Sequence, residues 1–423
     1  MTKPTPVVLG IENLAANPAP LQAKRVAVLS HQAAVTHDLR RAIDVVHEIA
    51  GDDRFVRIFG PEHGFWGVKQ DMEGATSEID SATGKEIVSL YVDYPKQPKE
   101  RTPEGLKSWK GELEQKKKQL WPKAKDLQDV EVLVVDLQDV GARFYTFANT
   151  MAYCMEVAKT TGTKVVVCDR PNPIGGRGVE GNLFEEGDRW MSFVGQFNIA
   201  PRHGMTIGEL ARYYRDLHPK YACDLEVIPM TGWTRGLWWD QTDLPWVPPS
   251  PNMPTIATAA VYPGMCLIEA TMASEGRGTT IPFEIFGAPH VDPFVLASRL
   301  NEIGLAGIRF RPQFFQPTFQ KHGGKVCGGV QLHVTDREAL QSYRLGLWCT
   351  KVIHDLWKDF EWRHDAYEYE EPNEKHALEQ LVGSPQFREI VEKGGDLDAW
   401  IESWDLSEFL ARRNQALETG YGT

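Results

Sequence analysis

Short apolar runs alternate with helical patterns through the first half of the chain. The runs at 25–30, 55–59, 130–136 and 164–169 are β-branched or almost continuously apolar, as is typical of buried parallel strands. Between them, apolar residues recur at helical spacing, for example over 39–50. This alternation predicts an α/β fold built on a Rossmann-like parallel sheet with helices on both faces.

Three polar turns follow these predicted strands. They are Pro-Glu-His-Gly at 61–64, Asp-Leu-Gln-Asp at 136–139 and Asp-Arg-Pro-Asn-Pro at 169–173. Parallel sheets bind their ligands at the carboxyl ends of the strands, where the strand order reverses. The three turns therefore predict a site at that edge of the sheet.

The second half of the pattern begins near Arg202. Thr206 and Glu209 have capping-box spacing before an amphipathic helix that should continue to about Leu217. The proline-rich stretch 246–254 predicts a rigid loop, and 262–287, rich in Gly, Thr and Glu, predicts an ordered functional loop. The length of 423 residues predicts two domains, which we place at 1–200 and 201–423.

Composition removes several classes of function. The net charge is -12 with acids and bases interspersed, which argues against a nucleic-acid partner. No apolar run approaches the ~20 residues of a membrane span, and no glycine-rich phosphate motif follows the first strand. The six scattered cysteines predict free, buried thiols. The lysine-rich stretch 96–126 predicts a mobile, solvated insertion.

The N-terminal residues contain no apolar signal segment, which favours a cytoplasmic protein, with a periplasmic or secreted location left open. His63, His203 and Asp136 could converge on a metal, but no ligand motif supports this. We therefore expect neither a metal nor a cofactor.

Glu62 is the principal candidate for catalysis. It follows a strand and is flanked by Phe65 and Trp66, and a carboxyl desolvated by aromatic surface favours the protonated form that a general acid needs. Alternatively, Glu62 caps the turn or pairs with an arginine. His63 could orient this acid or satisfy a buried hydrogen bond.

Two further segments present site chemistry. Asp136 and Asp139 precede Arg143 and an aromatic segment, a pattern that fits either a structural ion pair or contacts with sugar hydroxyls and an anion. In 275–280, two glycines would let the backbone approach a ligand beside Glu, Arg and Thr side chains. The many tryptophans fit either sugar stacking or the core.

The chain resembles the exo-β-N-acetylmuramidase family along nearly its whole length, from about Gly10 onward. The resemblance is carried by the three strand-end turns and their continuations, and by three later motifs: Arg-His-Gly-Met-Thr-Ile-Gly-Glu-Leu at 202–210, Pro-Pro-Ser-Pro-Asn-Met-Pro at 248–254 and Ser-Glu-Gly-Arg-Gly-Thr-Thr at 274–280. Six ordered motifs make chance similarity improbable.

The resemblance implies a Rossmann-like first domain, a second α/β domain and an active cleft between them. It implies release of non-reducing-end N-acetylmuramic acid from peptidoglycan fragments, in cell-wall recycling. The substrate would be a muropeptide or disaccharide. Glu62 matches the catalytic glutamate, with His63 beside it. Glu275 and Glu269 are candidates for the second carboxylate and Asp136 is the fallback; a retaining, an inverting and a substrate-assisted route stay open.

The lactyl carboxylate of muramic acid requires a cation, for which Arg143, Arg170, Arg202 and Arg277 are the candidates. The residues expected to contact substrate are Asp136, Gln138, Asp139, Arg143, Tyr145, Arg170, Asn172, Arg202, His203, Asn252, Arg277 and Thr279. Two other functions stay open: a related glycosidase acting on another acetamido sugar, and a non-catalytic muropeptide-binding protein.

Overall fold

The computed structural model of the chain describes residues 4–93, 95, 98, 102–185, 187–371 and 375–422. Seven strands from the first half of the chain form one sheet: β1 (Val26–Ser30), β2 (Phe55–Gly60), β3 (Glu78–Ile79), β4 (Glu86–Ser89), β5 (Val132–Asp136), β6 (Lys164–Cys168) and β7 (Leu225–Ile228). The strand order is β3-β4-β2-β1-β5-β6-β7, and every pairing is parallel except that of β3 with β4.

Helices cover both faces of this sheet. They are α1 (Gly10–Ala16), α2 (Ala42–Ala50), α3 (Pro103–Lys117), α4 (Ala124–Leu127), α5 (Phe147–Thr161) and α6 (Ile207–Leu217). Because side chains alternate along a strand, Val26 and Val28 of β1 pack in the cluster that includes α1 and α2, while Ala27 and Leu29 pack with α5. The burial of both faces explains why these strands read as continuous apolar runs.

The expected Rossmann-like fold class is confirmed. From β1 the chain proceeds outward through β2 to β4, and it then returns to the other side of β1 through β5, β6 and β7. The strand order therefore reverses between β1 and β5, where such sheets bind ligands. β7 lies beyond the expected division at residue 200 and still pairs with β6.

The second half forms a smaller antiparallel sheet with a helical cover. Its strands are β8 (Ile285–Ala288), β9 (Ile308–Phe315) and β10 (Cys327–Val334), in the order β8-β10-β9. The helices are α7 (Ile256–Met265), α8 (Pro293–Ile303), α9 (Ser342–Leu356), α10 (Ala377–Val382), α11 (Gln386–Lys393), α12 (Leu397–Glu402) and α13 (Ser407–Ala416). α7 and α9 touch through Gly264 and Gly346, since a Cβ on Gly264 would lie 1.8 Å from the Ser342 carbonyl oxygen.

Short 3₁₀ helices complete the described elements: Ala19–Leu21, Lys118–Leu120, Gly187–Trp190, Pro219–Tyr221, Trp239–Gln241, Cys266–Ala270 and Thr419–Tyr421. The capping box of α6 is confirmed, because the Thr206 side chain accepts from the Glu209 amide while Glu209 accepts from the Thr206 amide. All six cysteines are free and buried, as expected. None of the described helices has the length and apolar character that a membrane crossing needs.

Two expectations about loops were wrong. The stretch 96–126 is not simply a solvated insertion, because α3 buries Trp109 and Leu113 in a cluster with Tyr91; residues 96, 97 and 99–101 lie outside the described part. The stretch 262–287 is not one loop, since it begins inside α7 and continues through the 3₁₀ helix Cys266–Ala270. Apolar residues in both stretches pack against the core, and this tertiary packing outweighs their loop-like composition.

Candidate active site

A narrow cleft lies at the carboxyl edge of the seven-stranded sheet and is lined by both halves of the chain. The lining residues are Glu62, His63, Asp71, Phe144, Tyr145, Thr146, Val194, Ser250, Asn252, Met253, Tyr262, Glu269, Arg277, Phe283, Tyr367 and Glu368. Of the candidates predicted from the sequence, Glu62, His63, Tyr145, Asn252, Glu269 and Arg277 are brought together here.

The turn after β2 carries Glu62 and His63 into the cleft. It is tightly wound, since His63 and Gly64 both have positive φ angles, of 68° and 72°. A non-glycine residue in this region costs free energy, so the surrounding structure must hold it in place. Nδ1–H of His63 donates to the Lys69 carbonyl at 2.9 Å, which fixes the orientation of the ring.

The Glu62 carboxyl is held at one oxygen. Its side chain is buried, and Oε2 accepts a hydrogen bond of 2.5 Å from the hydroxyl of Thr146, the residue that precedes α5. Within the described residues Oε1 has no hydrogen-bond partner. The carboxyl is therefore oriented by one contact and retains an oxygen that can hold or transfer a proton.

Aromatic side chains form a wall of the cleft beside Glu62. The Tyr145 ring centre lies 6.3 Å from that of Tyr262, which in turn lies 4.9 Å from that of Phe283. Burial, with smaller contributions from Asp139 and Glu62, raises the pKa of Tyr145 well above its usual value. Its buried hydroxyl therefore stays protonated, and it has no hydrogen-bond partner among the described residues. It is available as a donor to a ligand.

Glu269 faces the cleft from the 3₁₀ helix after α7, and both of its oxygens are occupied. Oε1 accepts from Arg277 Nη2 at 2.6 Å, and Oε2 accepts from the Tyr367 hydroxyl at 2.8 Å. Burial raises the pKa of Glu269 above its usual value; Arg277 opposes this rise, whereas Asp71 and Glu275 add to it. Glu269 is thus a rigidly held carboxyl in an acidic neighbourhood.

Asp71 is a third cleft carboxyl, which we did not predict. Oδ1 accepts from the Gln320 amide and lies 3.3 Å from Arg277 Nη1. Burial alone would raise the pKa of Asp71, but Arg277 and the Gln320 hydrogen bond outweigh it, so the pKa is lowered. Asp71 is therefore ionised, and within the described residues its Oδ2 accepts no hydrogen bond.

Glu275 lies behind the cleft and not in its wall. It accepts from Lys321 Nζ at 2.8 Å and lies 3.2 Å from Arg277 Nε. Lys321 also donates to the carbonyls of Ile268, Glu269 and Ala273, so it ties the segment that carries Glu269 to the β9–β10 loop. This argues against Glu275 as the second carboxylate, since Lys321 occupies its other oxygen.

The glycine-rich segment packs closely against a neighbouring loop. A Cβ on Gly278 would lie 2.9 Å from the backbone nitrogens of Thr318 and Phe319, so the glycine serves close packing of the β9–β10 loop. Thr279, expected to contact substrate, donates its hydroxyl to the Gly276 carbonyl at 2.6 Å and does not line the cleft.

Three of the four predicted anion-binding arginines are structural. Arg170 forms a two-point ion pair with Asp136, including Nη2 to Oδ2 at 3.0 Å. Arg143 donates to backbone carbonyls, among them that of Leu381 at 2.6 Å, and burial lowers its pKa to about 10. Arg202 pairs with Glu180 at 2.6 Å. Their guanidinium groups bind protein partners away from the cleft, which removes them and Asp136 from our set of substrate contacts.

The remaining strand-end residues are also internal. The amide of Gln138 donates to backbone carbonyls, and that of Asn172 donates to Met205 and caps its own turn. Asp139 accepts from the Gly141 amide at 2.6 Å and lies 3.5 Å from His203 Nε2. These contacts brace the turns beneath the cleft. Among the described residues, no group of three or more His, Cys, Asp or Glu side chains could hold a metal.

Comparison with known proteins identifies the family. Models of the N-terminal and C-terminal regions of exo-beta-N-acetylmuramidase NamZ match residues 26–108 with 114–257, and 260–418, respectively. Over 400 residues the chain is 40% identical to the peptidoglycan beta-N-acetylmuramidase NamZ of Bacillus subtilis strain 168, covering 94% of this chain and 87% of that protein. The chain belongs to the exo-β-N-acetylmuramidase NamZ family. The resemblance predicted from the motifs is confirmed.

Solved structures agree with this membership in the NamZ family. Two DUF1343 family proteins of Bacteroides fragilis are 30% and 28% identical to this chain, with TM-scores of 0.81 and 0.71. The first match covers 98% of this chain and 99% of the other, and the second covers 97% and 98%. The two-part α/β architecture is therefore shared along the whole length.

Several cleft residues of this NamZ-family chain were not predicted from the sequence. Asp71 and Thr146 follow strands β2 and β5 at a greater distance than the residues we singled out, and Tyr262 lies inside a helix. Tyr367 and Glu368 belong to a Tyr-Glu-Tyr-Glu-Glu run that looks like a solvated acidic surface but is buried. The polar run offered no local signal that it would fold back over the cleft.

Proposed function

We propose that this protein is a glycoside hydrolase that releases N-acetylmuramic acid from the non-reducing ends of peptidoglycan fragments during cell-wall recycling. The observation that carries the proposal is the Glu62 carboxyl, which lines the cleft with one oxygen held by Thr146 and the other unpartnered in the described chain. Membership in the exo-β-N-acetylmuramidase NamZ family supports the substrate class.

The geometry supports a division of roles between carboxyl groups. Glycoside hydrolysis needs an acid on the leaving oxygen and a second group that provides or steadies the attacking nucleophile. We assign the acid to Glu62. Asp71 and Glu269 are the carboxyl groups on the cleft wall that can take the second role, as nucleophile, as base for water, or as a support for the substrate's own acetamido group.

The hydrogen-bond pattern favours Asp71 over Glu269 for that second role. Asp71 is ionised and retains one oxygen without a hydrogen bond in the described chain, whereas both Glu269 oxygens accept hydrogen bonds. A nucleophile or base must offer a lone pair to the reacting atom. Glu269 is better suited to orient Arg277 and Tyr367 beneath a bound sugar.

The chemistry of the cleft lining fits a terminal sugar. Aromatic faces from Tyr145, Tyr262 and Phe283 suit the apolar face of a sugar ring, and the unpartnered Tyr145 hydroxyl suits one of its oxygens.

The deciding experiment compares Glu62→Gln with Glu48→Gln. Glu48 is an exposed glutamate of α2 paired with Arg40, so its variant controls for the loss of one carboxylate. With a chromogenic N-acetylmuramic acid glycoside, we expect Glu62→Gln to lower kcat by about 10²–10⁴-fold, the usual contribution of a general acid. Glu48→Gln should match the wild type, and circular dichroism should show both variants folded. Full activity of Glu62→Gln would reject the assignment.

Two alternative functions remain to be tested on the same protein. A glycosidase for another acetamido sugar would hydrolyse the corresponding N-acetylglucosamine glycoside at least as fast. A non-catalytic muropeptide-binding protein would release no sugar after prolonged incubation with peptidoglycan fragments. A cytoplasmic location is a further prediction, which cell fractionation would check.

A further inference from the structure

The cleft is acidic, although the proposed substrate is an anion. Within the described residues, its lining includes the carboxyl groups of Asp71, Glu269 and Glu368 beside that of the proposed acid Glu62, against one arginine, Arg277. In a site shielded from water, such a surplus of negative charge repels a carboxylate. Binding of an anionic sugar therefore needs a cation whose charge is not already neutralised by the protein.

Arg277 does not meet this requirement. Its guanidinium lies within ion-pair distance of three carboxylates, at 2.6 Å from Glu269, 3.2 Å from Glu275 and 3.3 Å from Asp71. Only the contact with Glu269 has hydrogen-bond alignment, but the three carboxyl groups already surround its single positive charge. A fourth carboxylate beside it would be repelled.

Arg363 stands beside the same wall on a rigid support. Its backbone N–H donates to the Ala270 carbonyl at 2.8 Å, and the Met272 N–H donates to the Glu361 carbonyl at 2.8 Å. These two bonds fix the segment against the turn that carries Glu269. The Arg363 guanidinium carbon lies 4.9 Å from the ring centre of Tyr367, a residue that lines the cleft.

The hydrogen-bonding capacity of Arg363 is largely unused. Within the described residues its one side-chain hydrogen bond runs from Nη2 to the Met72 sulfur at 3.0 Å, and a thioether is a weak acceptor. Within the described residues no carboxylate lies at ion-pair distance from it, and its side chain is only partly buried. Burial lowers its pKa, but Tyr367, and then Asp71, Glu269 and Glu275, outweigh burial and raise the pKa, so Arg363 stays charged.

We propose that Arg363 is the specificity-determining residue that receives the lactyl carboxylate of the muramic acid unit. A planar guanidinium with adjacent unpaired N–H groups matches a carboxylate at two points. Arg363 itself is not among the lining residues, but its contact with the Tyr367 ring holds the guanidinium next to a residue that lines the cleft. The inference rests on the proposed function and names the residue that would distinguish muramic acid from glucosamine.

The test measures kcat/KM of the wild type, Arg363→Gln and Arg363→Lys on three chromogenic glycosides: N-acetylmuramic acid, its lactyl methyl ester and N-acetylglucosamine. We expect Arg363→Gln to lower kcat/KM on the acid by about 10–100-fold, the range for a lost charge-assisted pair. Its rates on the ester and the glucosamine glycoside should stay within about twofold of wild type, because neither carries the carboxylate. Arg363→Lys should recover part of the loss.

Arg299→Gln is the matched control, since Arg299 is an exposed arginine of α8 paired with Glu302. An equal loss on all three glycosides, or an unchanged acid-to-ester ratio in Arg363→Gln, would overturn the role of Arg363 while leaving the hydrolase assignment intact. A wild type that cleaves no muramic acid glycoside would instead reject the proposed function. In that case calorimetric binding of N-acetylmuramic acid and its methyl ester, with and without Arg363, still decides the inference.

Discussion

Two buried clusters of acids and arginines stand at the carboxyl side of the main sheet, and they use their charges differently. In the rim cluster, Asp136, Asp169 and Arg170, the arginine pairs with one carboxylate and the other accepts hydrogen bonds from protein donors. In the cleft cluster, Asp71, Glu269 and Arg277, one arginine faces several carboxylates on a cavity wall. Both clusters are buried, so burial does not distinguish them. A structural cluster differs from a candidate site in that each of its charged groups has a protein partner.

The largest expected effect is on the rim cluster. Arg170→Met leaves the fully buried Asp136 without its partner, and breaking a buried pair in this way costs about 3–5 kcal/mol of the free energy of unfolding. Urea unfolding should show the loss, while kcat/KM at low temperature, where the variant is still folded, should stay close to that of the wild type. A normally stable variant with lost activity would place Arg170 in the site and break the comparison.

The pH dependence of stability comes next. Burial, then Glu209, raises the pKa of Asp169 from 3.8 to about 6. The folded state therefore binds more protons than the unfolded chain between about pH 4 and 6, so stability falls as the pH rises through that window and is level above it. A shift of about two units is worth roughly 3 kcal/mol.

Asp169→Asn should remove that slope. Its oxygen can still accept from the amides of Arg170 and Gly208, and its amide can donate to the hydroxyls of Thr206 and Tyr421. Thermal unfolding of both proteins between pH 4 and 7 measures the difference. An identical pH slope in Asp169→Asn would show that another group is responsible.

A smaller effect is expected in the cleft cluster, on the pKa of Asp71. Arg277 is the main cause that holds the pKa of Asp71 down against burial. In Arg277→Met this pKa should rise by about 1 unit or more, the usual influence of a neighbouring charge. If the reaction needs ionised Asp71, the acid limb of the kcat/KM profile moves to higher pH by the same amount. Arg277→Lys retains the charge and should move it less, whereas an unmoved limb would exclude Asp71.

The smallest expected effect on stability comes from removing single hydroxyl groups, one beside each cluster. Tyr145→Phe removes a hydroxyl with no protein partner in the described chain, so the free energy of unfolding should change by less than about 0.5 kcal/mol. Its kcat/KM should fall about tenfold if that hydroxyl donates to the sugar. Tyr421→Phe is the control, because its hydroxyl serves Asp169 and Met230. That variant should lose about 1 kcal/mol and keep its activity.

The local pattern of apolar and polar residues was sufficient to predict several helices and strands and one edge of the candidate site. The helix α6 and the strands β1, β2, β5 and β6 fall within a few residues of their predicted positions. The turn with Glu62 does lie at the ligand-binding edge. These features depend on the periodicity of apolar residues and on the position of a residue at a strand end. Both can be recognised from a few neighbouring residues.

The local sequence pattern does not determine which of these residues contact substrate. Asp136 with Arg170, and Arg143 beside its aromatic segment, present the same residue types as a site, yet their partners turn out to be protein groups. Conversely, Asp71 and Tyr367 line the cleft but were not predicted, because no neighbouring residues in the sequence indicate a cavity. Carboxylates and guanidinium groups pair with whichever opposite charge the fold brings near.

The order of apolar and polar residues by itself determined a doubly wound sheet and a glutamate at a strand end. The motifs indicated the family, and the family resemblance implied the second α/β domain. Tertiary structure alone decided which charges are matched. Glu62 meets Thr146 across 84 residues of sequence, and Arg143 reaches the Leu381 carbonyl across 238. Secondary structure follows from periodicities a few residues long, whereas an ion pair or a cleft wall depends on distances that only the packed chain defines.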